Sequence, residues 1–249
     1  MPWKELDIDI VIESTGHFLD RESATKHLKA GAKKIILSAP PKDDSIKTIV
    51  VGVNDELLSS EDIIVSNASC TTNCAAPMLQ VLKQWGIEEA YVTTVHSYTG
   101  DQRIHDAPHK DLRRARAAAL SIIPTSTGAA KALGKIFPEL EKKLGGCGMR
   151  VPVPDGSLTD ITCVLTQCPS VEEINLAFKK ASQNELKGIL EYTEDPLVSV
   201  DVIGNTHSVV FDSDFTSVVS NLVKIIGWYD NEYGYSNRLI DLLLKLNAL

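Results

Sequence analysis

The first 66 residues constrain the fold most, because short apolar runs alternate there with a helical stretch. Asp9-Ile10-Val11-Ile12 reads as a strand, and Arg21 to Ala30 reads as a helix stopped by Gly31. Lys34-Ile35-Ile36-Leu37 reads as a second, buried strand closed by Ser38-Ala39-Pro40-Pro41. Thr48 to Val53 and Ile63-Ile64-Val65 are two further apolar runs. Short apolar runs separated by a helix are the pattern of parallel α/β units.

The chain then changes character. Ala90 to His96 alternates as a strand. Ser97 to Ala117 is polar and has no apolar period, and runs of that length inside a domain are functional or disordered. It holds Arg103, Arg113, Arg114 and Arg116, a basic island in a chain of net charge -8. It reads either as a solvated loop or as one that meets an anion or a neighbouring subunit. Leu158 to Leu165, Val198 to Ile203, Ser208 to Phe211, Ser217 to Val219 and Leu222 to Trp228 read as strands. Val171 to Ala181 reads as a helix opened by the capping box Ser170-Val171-Glu172-Glu173. A last helix is expected from about Tyr235 to Leu246. The expected fold is therefore α/β followed by α+β: a parallel sheet, then a mixed, largely antiparallel sheet with helices on one face.

Composition removes several function classes. The 249 residues, 43% hydrophobic and 23% charged, suit one large or two modest globular domains. No run of about 18 apolar residues occurs, and Met1 to Asp7 holds no signal-like core, so no membrane span is expected and a cytoplasmic protein is. The acidic surplus argues against nucleic acid and against an anionic membrane surface as partners. Five cysteines, an odd number, point to a reducing compartment rather than a disulfide scaffold. Cys70 and Cys74 have C-x3-C spacing without a second Cys/His pair, so no metal site is expected.

Ser66-Asn67-Ala68-Ser69-Cys70-Thr71-Thr72-Asn73-Cys74 follows a strand and precedes a helical apolar pattern at Ala75, Met78, Leu79 and Leu82. Cys70 would then stand at a helix N-terminus, where free N–H groups and the dipole favour a thiolate. The competing reading is a buried cysteine acting as a small hydrophobe. Its polar neighbours Ser69, Thr71, Thr72 and Asn73 favour the reactive one. A cysteine nucleophile wants a base, and His96 ends the strand Tyr91 to Val95, at an edge where catalytic groups collect in α/β proteins. A structural histidine is an equal reading. Ser126-Thr127-Gly128-Ala129-Ala130-Lys131 opens a helix whose N–H groups suit a phosphate, or only an N-cap. Arg150, in Met149-Arg150-Val151-Pro152, is expected to pair with a carboxylate or a phosphate.

Together these segments resemble the phosphorylating glyceraldehyde-3-phosphate dehydrogenases. The motif around Cys70 is similar to the family's catalytic motif, and His96-Ser97-Tyr98-Thr99-Gly100-Asp101-Gln102 to the segment with its catalytic histidine. Pro124 to Lys131 and Met149 to Pro152 resemble its anion-binding segments, and Trp228 to Ser236 its segment near the nicotinamide. The order agrees along nearly the whole chain.

The resemblance implies that Cys70 attacks the aldehyde as a thiolate and that His96 activates the thiol and serves as base. Oxidation by the nicotinamide leaves a thioester, which inorganic phosphate cleaves to an acyl phosphate. One anion pocket is implied for Ser69, Thr71, Thr127 and Gly128, and another for Thr99, Asp101, Arg116 and Arg150. Asn231 and Tyr235 would hold the nicotinamide, while Ser14, Thr15, Gly16 and Ser38 would line the dinucleotide cleft. Pro108 leans towards NAD, and NADP stays open. The basic loop, residues 97–117, resembles the family's S-shaped loop, which implies a homotetramer. The implied division is residues 1–69 as the remaining part of a Rossmann-like NAD domain, 70–233 as the catalytic domain, and 234–249 as a helix returning to the cofactor domain. No G-x-G-x-x-G occurs, so the first mononucleotide-binding half is expected to be missing, which leaves the activity of this chain open, and the stripe Leu239, Leu242, Leu243 and Leu246 is expected to lie exposed. Three other readings stand beside this one: an erythrose-4-phosphate dehydrogenase, a Cys/His thiol esterase or acyltransferase, and a non-catalytic interaction fragment.

Overall fold

The computed structural model describes residues 1–249 and divides into two units, Met1–Ser69 with Ser236–Leu249, and Cys70–Tyr235. In the first unit the apolar runs become β1 (Ile10–Glu13), β2 (Lys34–Leu37), β3 (Lys47–Thr48) and β4 (Ile64–Ser66). Every pairing is parallel, in the order β1-β2-β4-β3. Helix α1 (Arg21–Lys29) connects β1 to β2, as a parallel pair requires, and starts at the capping box of Asp20 and Ser23. Its Ala24 packs with Ile35, Leu37, Ile46 and Ile64 to form the core of this unit.

Two expectations change here. Only Lys47–Thr48 of the third apolar run pairs as a strand; beyond it the Asn54 side chain bonds the Val50 N–H and the Thr48 carbonyl, turning the chain while Ile49 and Val50 stay buried. The stripe expected to lie exposed is mostly buried, with Leu243 half-buried. In helix α5 (Tyr233–Asn247) Leu239, Leu242 and Leu246 are 8%, 0% and 0% exposed. The end of that helix is fastened within its own unit, where Lys34 Nζ donates to the Leu246 carbonyl at 2.7 Å and Lys245 pairs with Asp55 at 2.7 Å.

The second unit carries a seven-stranded sheet. Its strands are β5 (Ile87–Ser97), β6 (Ile123–Thr125), β7 (Leu144–Val151), β8 (Ser157–Leu165), β9 (Leu190–Thr193), β10 (Val209–Val219) and β11 (Leu222–Tyr229). The order is β6-β7-β5-β8-β11-β10-β9, antiparallel except for β7–β5 and β10–β9. Helix α2 (Cys70–Leu82) packs on β5, β8, β10 and β11 and also touches α3 (Ala129–Ile136) and α4 (Val171–Gln183), so the three helices share one face. The mixed, largely antiparallel sheet with one helical face agrees with expectation.

Val198 to Ile203 is not a strand. The Asp201 carboxylate accepts the Val198 N–H at 2.8 Å and folds Ser199–Val202 into a 3-10 turn. Ser208 to Phe211 and Ser217 to Val219 belong to the single strand β10, whose register shifts between Asp212 and Ser217. Residues 98–117 form no helix or strand, yet they close on themselves. Arg103 N–H donates to the Arg114 carbonyl, Ala118 N–H to the Arg103 carbonyl, and Ala107 N–H to the Ala115 carbonyl. No helix is long and apolar enough to cross a membrane.

Candidate active site

Cys70 is the first residue of α2, and His96 is the penultimate residue of β5. Because α2 lies on β5, the two meet, with Cys70 Sγ 3.3 Å from His96 Nε2. The helix sits close because Gly227 of β11 lies beneath it. A Cβ at that position would stand 2.7 Å from Met78 Sδ and 2.4 Å from Val209 Cγ2. Arg150 of β7 is in register with His96, and its Nη1 reaches both His96 Nδ1 and, at 3.1 Å, the Ser97 carbonyl.

Electrostatics decide the resting protonation. Burial, then the Arg150 guanidinium, depress His96 to about 4, so its imidazole is neutral near pH 7. His96 Nδ1 also lies 2.8 Å from the Ser97 carbonyl, which only accepts. Arg150 Nη1, which only donates, faces the same Nδ1; the tautomer with the ring proton on Nδ1, donated to Ser97, is the one that leaves Nε2 a lone pair towards the Cys70 sulfur. The helix N-terminus does not by itself make a thiolate here. Burial pushes the Cys70 thiol up, against the pull of the Thr71 amide, Arg150 and the Thr71 hydroxyl. Resting Cys70 is therefore a thiol facing a neutral imidazole. Burial alone raises Cys163 to about 12, and Cys74 is also raised, and neither has the Thr71 amide and Arg150 that pull Cys70 down.

The anion-binding candidates fall into two groups. Thr99 Oγ1 donates to Asp101, and Asp101 pairs with Arg114, whose Nε donates to Thr125 Oγ1 at 2.8 Å. Arg116 stands elsewhere, 67% exposed and paired with Asp106 at 3.3 Å. Sequence reasoning missed Arg114, since spacing does not choose among four loop arginines. Thr127 Oγ1 accepts the Ala129 N–H at 3.2 Å at the start of α3, and Gly128 beside it is exposed with open space around it. Arg114 Nη2 reaches the Ser126 carbonyl at 3.4 Å, so both groups border on residues 125–126.

The cofactor candidates occupy both units. In the first unit Ser14, Thr15 and Gly16 form an exposed turn at the carboxyl end of β1, with Gly16 at φ +74°. Ser38 follows β2, and its N–H donates to the Glu13 carbonyl at 3.0 Å. Polar turns at the carboxyl ends of neighbouring parallel strands are where α/β sheets take ligands. Glu13, buried in this unit, accepts from Thr15 N at 2.7 Å and from His27 Nε2 at 2.7 Å and so fixes that turn. In the second unit Asn231 Oδ1 accepts from Ser97 Oγ at 2.9 Å and Ser157 Oγ at 2.7 Å. That fixes the amide and leaves Nδ2 as a donor, which fits the carbonyl of a carboxamide. Tyr235 is half-buried at the end of this unit, Ser69 is half-buried at the end of the other, and Pro108 is exposed in the loop. Ser97 and Ser157 were not singled out from the sequence, because only the sheet brings them to Asn231.

Residues 69–231 match the model of the glyceraldehyde 3-phosphate dehydrogenase C-terminal domain. A glyceraldehyde-3-phosphate dehydrogenase of Mycobacterium avium is 55% identical over 98% of this chain and 72% of its own length. That of Mycobacterium leprae is 54% identical over the same shares. Glyceraldehyde-3-phosphate dehydrogenase 2 of Streptomyces avermitilis is 56% identical over 97% of this chain and 73% of its own length. The chain belongs to the glyceraldehyde-3-phosphate dehydrogenase family. It is accordingly an oxidoreductase of that family, and the Cys70–His96 pair lies within the matched domain.

Proposed function

We propose that this chain carries the chemistry of a phosphorylating, NAD-dependent glyceraldehyde-3-phosphate dehydrogenase. The observation that carries the reading is Cys70 Sγ placed 3.3 Å from His96 Nε2, with Arg150 on the far side of the ring. His96 Nε2 takes the Cys70 proton as the sulfur adds to the aldehyde carbon. The imidazolium stabilises the resulting thiohemiacetal oxyanion and protonates it. When that hydroxyl is oxidised, His96 accepts its proton again, and Cys70 holds the acyl group as a thioester. A bound nicotinamide supplies the acceptor for the hydrogen that leaves carbon with its electron pair. Inorganic phosphate then attacks the acyl carbon, the C–S bond breaks, and Cys70 is released as a thiolate.

Arg150, with Arg114, Thr99, Asp101, Thr127 and Gly128, is proposed to hold the substrate phosphate and the attacking phosphate; Ser69, Thr71 and Arg116 belong to the same proposal from the resemblance. Asn231 Nδ2 and Tyr235 would orient the nicotinamide, and Ser14, Thr15, Gly16 and Ser38 the rest of the dinucleotide, with Pro108 inclining the choice to NAD. A homotetramer in the cytoplasm is the corresponding assembly and place. The test is NADH formation by this chain with glyceraldehyde 3-phosphate, NAD and phosphate. The reading expects phosphate-dependent turnover lost in Cys70→Ser; turnover indifferent to phosphate, or faster with erythrose 4-phosphate, contradicts it.

A further inference from the structure

Tyr229 of β11 is 2% exposed, and its hydroxyl sits between two others. Thr71 Oγ1, from the first turn of α2, lies 3.0 Å away, and Thr94 Oγ1, from β5, lies 2.8 Å away. Thr71 is next to Cys70, and Thr94 is two residues before His96 on the same strand. The Tyr229 ring also stands edge-on to the His96 ring, with centroids 6.0 Å apart. One buried phenol thus ties the cysteine's helix to the histidine's strand.

The protons in this chain of hydroxyls can be counted. Thr94 Oγ1 lies 3.2 Å from the Leu158 carbonyl, which only accepts. If Thr94 donates there, its single proton is used, so Tyr229 donates to Thr94 and Thr71 donates to Tyr229. The opposite order is equally complete: Thr94 donates to Tyr229, Tyr229 to Thr71, and Thr71 to the neighbouring Cys70 sulfur, to which its hydroxyl is hydrogen-bonded. The first order suits a thiol, which needs no donor. The second suits a thiolate, which does. The change rotates three O–H bonds and moves no proton between atoms.

We propose that Tyr229 is a positioning residue that acts through Thr71. Its hydroxyl holds Cys70 and His96 at transfer distance and turns the Thr71 O–H onto the sulfur once the thiol proton has passed to His96 Nε2. The inference rests on the Cys70–His96 reading and adds the Thr71 hydroxyl as a donor to the sulfur. Tyr229 itself stays a phenol, since burial holds its O–H well above the usual tyrosine range.

The test is the rate of Cys70 alkylation by iodoacetamide against pH, followed by mass mapping of the labelled peptide. Tyr229→Phe keeps the ring and removes the relay. The midpoint of its profile is expected to rise by about one pH unit, roughly a tenfold slower reaction at neutral pH, with the high-pH plateau unchanged. Thr71→Val should reproduce the shift, and Thr71→Ser should restore the original midpoint. A Tyr229→Phe profile that coincides with that of the unaltered chain overturns the proposal. So does a lowered plateau with an unmoved midpoint, which is the mark of loosened packing alone. The His96→Asn profile separates the two levels. If it matches the unaltered chain, the Cys70–His96 reading itself fails; if it differs while both relay variants do not, only the role of Tyr229 fails.

Discussion

At the scale of single residues, Arg150 does two opposed things. It is proposed to hold an anion, and it presses its charge on His96. Removing it should relieve part of the depression while burial keeps the rest. Arg150→Ala is therefore expected to raise the His96 midpoint from about 4 without reaching the ordinary 6.5, read from the imidazole nitrogen shifts by NMR. An unmoved midpoint would show that Arg150 does not act on the ring. The same variant should weaken phosphate dependence, because one positive group serves both functions. Cys70 and His96 were legible in the sequence, since a polar motif between strand and helix, and a histidine at a strand end, are local signals. Arg114 was not. Its pairing with Asp101 depends on how residues 98–117 fold back, and four arginines in one stretch look alike until that closure is known.

At the scale of elements, the meeting of Cys70 and His96 depends on how near α2 lies to the sheet. Gly227 permits that approach, and Cys74 Sγ stands 3.7 Å from the Gly227 carbonyl. Gly227→Ala drives a methyl group into Met78 and Val209 and is expected to cost about 1–3 kcal/mol. Because the displaced helix carries Cys70, alkylation of Cys70 should slow in the same variant. Chemical denaturation and labelling on one preparation check both, and an unchanged stability would mean that the contact is slack. Helices α2 and α4 and strands β5, β8 and β11 were readable, since apolar period and capping agree with the fold there. Strand β7 was not, because Gly145, Gly146 and Gly148 weaken strand propensity and only neighbouring strands stabilise it. The run Val198 to Ile203 misled for the opposite reason. Its β-branched residues suggest a strand, but one carboxylate, Asp201, turns the backbone.

At the scale of the whole molecule, both units use the apolar stripes that their sequences carry. The α5 stripe shows it: period alone places Leu239, Leu242 and Leu246 on one face, but only the fold shows them buried. Leu242→Ala should cost about 2–5 kcal/mol, measured by urea unfolding, as a buried leucine does. A cost below about 0.5 kcal/mol would mean an exposed helix after all. Buried His96 also makes stability depend on pH. The folded chain keeps its imidazole neutral down to about 4, whereas the unfolded chain binds a proton near 6.5. Stability should therefore fall as pH drops from about 6.5 to about 4, with a slope on the order of 1 kcal/mol per pH unit from this group. His96→Asn should flatten that interval, and an equal slope in both proteins would contradict the assignment. The change from a parallel sheet to a mixed one was visible from the sequence as a change of spacing between apolar runs.

The central claim is that Cys70, served by His96 and Arg150, holds an acyl group that phosphate exchanges. It is tested most directly by running the last step backwards, because that step needs no dinucleotide. The chain is incubated with acetyl phosphate, and acylation is read by intact mass and peptide mapping. One acetyl group on Cys70, slowed in His96→Asn and in Arg150→Ala and removed by added phosphate, is the predicted result. Acylation spread over the other four cysteines, or none at Cys70 in a folded chain whose Cys70 still alkylates, would contradict it.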